Sequence, residues 1–159
     1  MIMANIKALQ GSTTQATCVT AELTSSGNTD FGLNQPANTI IEEVYVRVAE
    51  APTITSGDIG LLLGYDSDHT GTQIVSGGTD CLLDGGTTLP ANTVYKLSNT
   101  TGVTFISATD GFATGDAASE TANASYATEA KNIYGRLSCS TAASAVGKFE
   151  IHVVFRHFH

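Results

Sequence analysis

The sequence predicts an all-β fold, an antiparallel two-sheet sandwich of jelly-roll type with about eight strands. Three observations lead there. Short runs of alternating apolar and polar residues recur along the chain, Gly-, Asn-, Asp- and Pro-containing turns punctuate them, and amphipathic helical patterning is thin. At 159 residues the chain has the length of one ordinary domain, large enough to bury roughly 70% of its unfolded surface.

The clearest strand runs from Thr39 to Ala49, where Ile40, Val44, Val46 and Val48 share one face and Glu43, Tyr45 and Arg47 lie on the other. Asp58 to Tyr65 aligns Ile59, Leu61, Leu63 and Tyr65, with Gly60 and Gly64 on the reverse, where a second backbone could approach closely. Further runs are Gln15 to Leu23, Ile74 to Val75 extending towards Leu83, Thr93 to Leu97, Gly102 to Ser107, Ile133 to Cys139 and Lys148 to Phe158. Ser76-Gly77-Gly78, Asp84-Gly85-Gly86, Asp110-Gly111 and Thr114-Gly115-Asp116 read as turns or loops between them. Residues 116–131 are Ala-rich, with the pattern of either a short helix or a long surface loop. Residues 1–35 form a polar amino-terminal arm or the first strands, and 36–159 the body of the sandwich, within a single domain.

Pro-Ala-Asn-Thr occurs twice, at Pro36 to Thr39 and at Pro90 to Thr93, each time ahead of an apolar run. Proline presets φ for a turn, Asn tolerates the left-handed region, and β-branched Thr starts extended structure. Each copy is therefore expected to be a turn that launches a strand, the two strands lying in facing sheets. Long Gly-rich connections favour a jelly roll over an up-and-down barrel. An immunoglobulin-type sandwich is disfavoured by the absence of Trp and of a paired cysteine framework.

Charge narrows the choice of partner. Fifteen acidic side chains against seven basic ones give a net charge of −8, and Arg47, Arg136 and Arg156 stand without a basic cluster around them. Phosphate binding needs clustered cations, so neither nucleic acid nor an anionic membrane is an expected ligand. The opening MIMANIKALQGSTTQ lacks the apolar core of a secretory signal, and no run approaches the ~18 apolar residues of a membrane span. The expectation is a protein made in a cytoplasm. Cys18, Cys81 and Cys139 are odd in number and far apart, and read as small buried thiols.

"LNQPANTIIEEVYVRVAEAPT", "GDIGLLLGYDSD", "TTLPANTVYKL" and the closing "GKFEIHVVFRHF" follow one another in an order that resembles the small jelly-roll virion proteins of tailed bacteriophages. The resemblance is to the head decoration, or cement, proteins of marine and cyanobacterial phages, and covers roughly residues 30–158. It implies a homotrimer on the outer surface of the assembled head, with the major capsid protein as partner and no catalytic residue. The amino-terminal segment has no counterpart in the pattern, and is expected to be an arm that grips the capsid or a neighbouring subunit.

Chemical constellations are sparse. In "DSDHTG", Asp66 and Asp68 begin a calcium-loop pattern, but Gly77 stands where the bidentate Glu of a complete loop belongs; the plainer alternative is a solvated Asp-rich loop. In the tail "HVVFRHFH", His157 and His159 share a strand face with Ile151, Val153 and Phe155, and His152 and Arg156 take the other. Three chains around a threefold axis would bring six such nitrogens together, as the His-x-His pairs that hold iron in some trimeric phage spike tips do; the alternative is a solvated terminus. His69 is expected on an exposed loop. Asp58, Asp66, Asp68, Asp80, Asp84 and Glu42 are available for glycoside chemistry, but sequence gives no separation to test. No Gly-x-Ser-x-Gly elbow is present. The sequence thus points to a non-enzymatic, cofactor-free virion structural protein. The alternative is a receptor- or glycan-binding head module of a fibre or tail spike, although no repetitive or coiled-coil shaft segment accompanies it.

Overall fold

A computed structural model describes residues 14–23, 27–69, 73–76, 82–97, 104–105, 126–139 and 147–157, without the side chains of 54–56, 73, 76, 83–88 and 104–105. Ten strands occupy this part of the chain: β1 (Thr14–Glu22), β2 (Asn28–Gln35), β3 (Thr39–Glu50), β4 (Thr53–Gly64), β5 (Gln73–Ser76), β6 (Leu83–Thr88), β7 (Val94–Lys96), β8 (Thr104–Phe105), β9 (Lys131–Cys139) and β10 (Lys148–His157). They form two antiparallel sheets, one ordered β1-β10-β3-β7 and the other β2-β9-β4-β5-β8, with β6 also on β4.

The pairing makes this a jelly roll. β1 pairs with β10, β2 with β9, β3 with β7 and β4 with β5, so four antiparallel pairs are nested one inside the next along the sequence. The rolled hairpin is then sewn into sheets by β10 on β3 and by β9 on β4. Eight strands carry this pattern; β6 and β8 are additions to the second sheet.

Alternation fills the space between the sheets. Phe149, Ile151, Val153 and Phe155 of β10 and Val44, Val46 and Val48 of β3 are fully buried, facing Ile59, Leu61 and Leu63 of β4 and Ile133 and Leu137 of β9. In β3 the first core residue is Ile41, not Ile40. The β3 to β10 register shifts between Val154 and Phe155, so Ile41 lies opposite Phe155 while Glu43 lies opposite Val154. This irregularity inserts one residue and moves the start of the apolar face by one position.

Both Pro-Ala-Asn-Thr copies are turns with left-handed Asn: φ is 56° at Asn38 and 62° at Asn92. They launch β3 and β7, which are antiparallel neighbours in one sheet and not strands of facing sheets. The second turn is fixed at the far end of β3, where the Asn92 amide donates to the Val48 carbonyl (2.6 Å) and the Val48 amide to the Thr93 carbonyl (2.9 Å). At the first turn, the Thr39 hydroxyl donates to the Pro36 carbonyl at 2.6 Å.

A buried polar clasp closes that end of the sandwich. Gln35 is fully buried; its Nε2 donates to the Thr39 carbonyl (3.1 Å) and its Oε1 accepts from the Tyr65 hydroxyl (2.6 Å). The Ala127 amide donates to the same Thr39 carbonyl at 2.9 Å. The ends of β2 and β4, the start of β3 and the entry to β9 are thereby tied together, and burial pushes the Tyr65 phenol well above its ordinary value.

Several sequence expectations change with the pairing. Asp84-Gly85-Gly86 lies inside β6, where Gly86 pairs with Gly57 of β4. The Ala-rich 116–131 stretch lies mostly outside the described residues; its described end contains the Thr39 to Ala127 bridge and the first residue of β9.

Candidate interaction surface

The outward face of the first sheet is a set of cross-strand rows. Reading from β1 across β10 and β3 to β7, one row is Cys18, His152, Tyr45 and Lys96, and the next is Thr20, Glu150, Arg47 and Val94. These residues alternate with the buried core positions, which is why polar side chains here share one plane.

Charges in the rows are satisfied across strands. Arg47 donates through NH1 to Glu150 Oε1 (2.8 Å) and through NH2 to Asn92 Oδ1 (2.9 Å), so the second turn is anchored to the sheet. Glu43 accepts from both Lys96 and the Tyr45 hydroxyl. Lys148 donates to Glu50 at 2.8 Å, with Glu22 at 3.6 Å, and Arg156 lies 2.5 Å from Glu42. Hydrogen bonds from Lys96 first and Tyr45 second hold the Glu43 carboxyl below the usual carboxylate range, and the Arg47 hydrogen bond does the same for Glu150. On the second sheet Arg136 grips Asp30 through two hydrogen bonds of 2.6 and 3.0 Å, which lowers the Asp30 carboxyl likewise.

Depressed folded-state carboxyl values stabilise the protein above their unfolded values, and that contribution is lost as pH falls through the folded ones. The thermal midpoint is therefore expected to hold near neutrality and to fall as pH drops below about 4, where unperturbed carboxyls titrate. A melting series from pH 7 to 3 checks this; a midpoint that rises with acid contradicts it.

Across these rows and the adjoining Ala16–Val154 pair lies a shallow groove of about 280 Å³ lined by Ala16, Tyr45, Arg47, Val94, His152 and Val154. Val94 is 57% exposed, on the short edge strand β7. The groove offers apolar contact from two valines and an alanine, bordered by a guanidinium, an imidazole and a phenol, a composition suited to a polar, adaptable contact.

The residues singled out from the sequence do not meet here. Asp66 and Asp68 are exposed in the turn after β4, with Gly77 outside the described residues. His69, expected to be exposed, is 2% exposed, with φ 64° and its amide donating to the Asp66 carbonyl at 3.0 Å. The turn that holds Asp66 and Asp68 out to solvent folds the histidine inward. His157 is half-buried at the end of β10, in register with Thr39, and His159 lies outside the described residues. Glu42 stands on the first sheet and Asp58 on the second. Among the described residues no group of three or more His, Cys, Asp or Glu stands ready to hold a metal ion.

Cys18, expected to be buried, is exposed, whereas Cys139 is buried; Cys81 lies outside the described residues. Cys18 Sγ is 3.4 Å from His152 Nε2, and Glu150 Oε2 approaches the same nitrogen at 3.6 Å. Desolvation first and the Glu150 charge second push the thiol above its ordinary value, the opposite of the shift that activates a nucleophilic cysteine. Sequence reasoning missed this pair because its members are 134 residues apart. The alternation on β1 and β10 could have placed each on an outward face, but the pairing of first and last strands could not be read locally.

Comparison with protein families, with curated proteins and with solved structures finds no match.

Proposed function

We propose that this protein is a non-enzymatic virion structural protein, a trimeric decoration protein that binds the major capsid protein on the outer surface of a phage head and stabilises the shell. The observation that carries the reading is the nested β1/β10, β2/β9, β3/β7, β4/β5 pairing, a jelly roll of the architecture used by capsid and lectin domains. The quoted strand-and-turn order from residue 30 to 158 supports the phage assignment by resemblance.

The physical features fit lattice binding. Among the described residues β1 pairs only with β10 and β2 only with β9, so each sheet presents a long edge to which a neighbouring chain can add a strand. The ion-paired outer face of the first sheet suits polar contact with a protein surface. Three subunits engaging the lattice together would gain from effective concentration, so weak individual contacts suffice.

The second reading, a receptor- or glycan-binding module, draws on the groove around Tyr45, Arg47 and His152 and on the same architecture. Partition of labelled protein between assembled heads and host cells separates the two. The decoration reading expects saturable binding to heads and none to cells, by a species with about three times the 16.4 kDa chain mass. Binding to cells alone, or a stable monomer, puts the receptor reading first.

A further inference from the structure

Half of the backbone groups of β1 face away from its neighbour. The Leu23 amide donates to the Gly147 carbonyl in step with the β1 to β10 register, so Ala21, Val19, Thr17 and Gln15 also turn their backbone groups to β10. Thr14, Ala16, Cys18 and Thr20 have the opposite phase and turn theirs outward, where no strand among the described residues pairs with them. The Glu22 carbonyl, of the same outward phase, accepts from the Thr29 hydroxyl.

The strands that end the two sheets, β1 and β7 in the first and β2 and β8 in the second, are not equally protected. Short length, charge and irregularity are the devices that keep an edge from pairing. β7 and β8 are only three and two residues long. β2 carries the charged Asp30, paired with Arg136, and Gly32 beyond it. β1 is nine residues long, has no charge, Gly or Pro from Thr14 to Ala21, and follows β10 without a register shift. Its half-buried Val19 also leaves apolar surface at that side of the core.

We propose that β1 pairs antiparallel with β1 of a second copy of this chain, about a two-fold axis at Cys18, joining two first sheets into one. Among the registers that set outward backbone groups against outward groups, this one pairs all nine residues, because Cys18 is the middle of Thr14–Glu22. Ala16 then lies opposite Thr20 of the second copy, and Val19 opposite Thr17, so a β-branched neighbour covers the apolar side chain. Glu22, the strand's single charge, lies opposite Thr14, in the row that holds Arg156, and so does not meet its own copy. The same patch serves both chains, which is the self-complementarity a two-fold contact needs. Such a contact is not the one that closes a trimer. It goes beyond the decoration reading, under which it joins one trimer to the next, and it stands without that reading.

Cys18 is the reporter, because only a residue on the axis meets its own copy. In a Cys81→Ser chain, a short bis-maleimide is expected to give a product of twice the 16.4 kDa chain mass on a denaturing gel, through the exposed Cys18 and not the buried Cys139. Moving the thiol to the end of the strand, by Glu22→Cys with Cys18→Ser in the same chain, is expected to abolish that product. Cys18→Lys sets like charges opposite each other and is expected to halve the native mass, and an equal mixture with Cys18→Asp to restore it; far-ultraviolet circular dichroism confirms the fold of each variant. No doubled product, equal yields from positions 18 and 22, or a native mass that Cys18→Lys leaves whole overturns the proposal. Binding to heads reads the decoration role separately, so the failure of one is told apart from the failure of the other.

Discussion

Replacing Phe155 with alanine is expected to cost about 3–5 kcal/mol, the range for deleting a large aromatic side chain from a closed core. Phe155 is fully buried on β10, the strand that lies between β1 and β3, and sits opposite Ile41 at the register shift. β10 itself is hydrogen-bonded on both edges, to β1 and to β3, so it cannot collapse freely into the space left behind. Set against a total stability of roughly 5–15 kcal/mol, the loss takes much of the folding free energy. Urea unfolding reads it as a lower midpoint at unchanged slope. Val94→Ala, at an exposed edge position, is the internal control and is expected to stay within about 0.5 kcal/mol. Equal shifts for the two variants contradict the placement of the core.

Gly147→Ala is the second large effect. A Cβ on Gly147 would lie 2.7 Å from Pro52 Cβ, 2.9 Å from Pro52 N and 3.0 Å from Pro52 Cα. Those atoms belong to a ring and its backbone in the short link between β3 and β4, and cannot rotate away. The Gly147 carbonyl also accepts from the Leu23 amide at 2.9 Å, so moving the glycine breaks the register just beyond β1. The expected cost is about 1–3 kcal/mol. Gly135→Ala makes the useful comparison. Its Cβ would meet the Phe31 ring, at 2.1 Å, but that ring is a half-buried side chain on edge strand β2 and can turn outward. Alanine also recovers some strand propensity at position 135, so the loss there is expected to be smaller. A denaturation series in which Gly135→Ala proves the more costly would show that Phe31, not Pro52, is the rigid partner.

Local patterning explains which parts of this fold could be read from sequence. Ile59, Leu61 and Leu63, and Phe149, Ile151, Val153 and Phe155, alternate cleanly with outward residues because each strand buries one face, and the structure places all seven in the core. Asn38 and Asn92 carried turn chemistry that needs no tertiary context, and both adopt the left-handed conformation. What escaped depends on pairing at a distance. β2 was hidden because one of its inward residues is Gln35, a polar group buried only because Tyr65 and Thr39 arrive to satisfy it. Asp84-Gly85-Gly86 has turn composition, yet pairing with β4 makes it part of strand β6. The assignment of Ile40 in place of Ile41 failed at a register shift that belongs to β10 as much as to β3. His69, between Asp68 and Thr70, has the setting of an exposed loop residue, yet a left-handed backbone turns it inward.

The outer-face rows follow the same logic. Outward positions on β3 and β10 were legible as Glu43, Tyr45, Arg47, His152 and Arg156, and they do lie on the solvent side of the first sheet. Their partners were not legible, because Arg47 to Glu150 and Cys18 to His152 are contacts between elements more than 100 residues apart. Local clusters, Asp66 with Asp68 and His157 with His159, are what sequence alone brings into view, whereas the contacts that the fold assembles lie across strands.

We propose that this jelly roll binds the outside of a phage head and strengthens it. The most direct measurement is the temperature at which heads assembled without the protein release their DNA, recorded with and without purified protein added back. The account predicts saturable addition of protein to the heads and a higher release temperature once the sites are filled. Heads that neither take up the protein nor change their release temperature would contradict it.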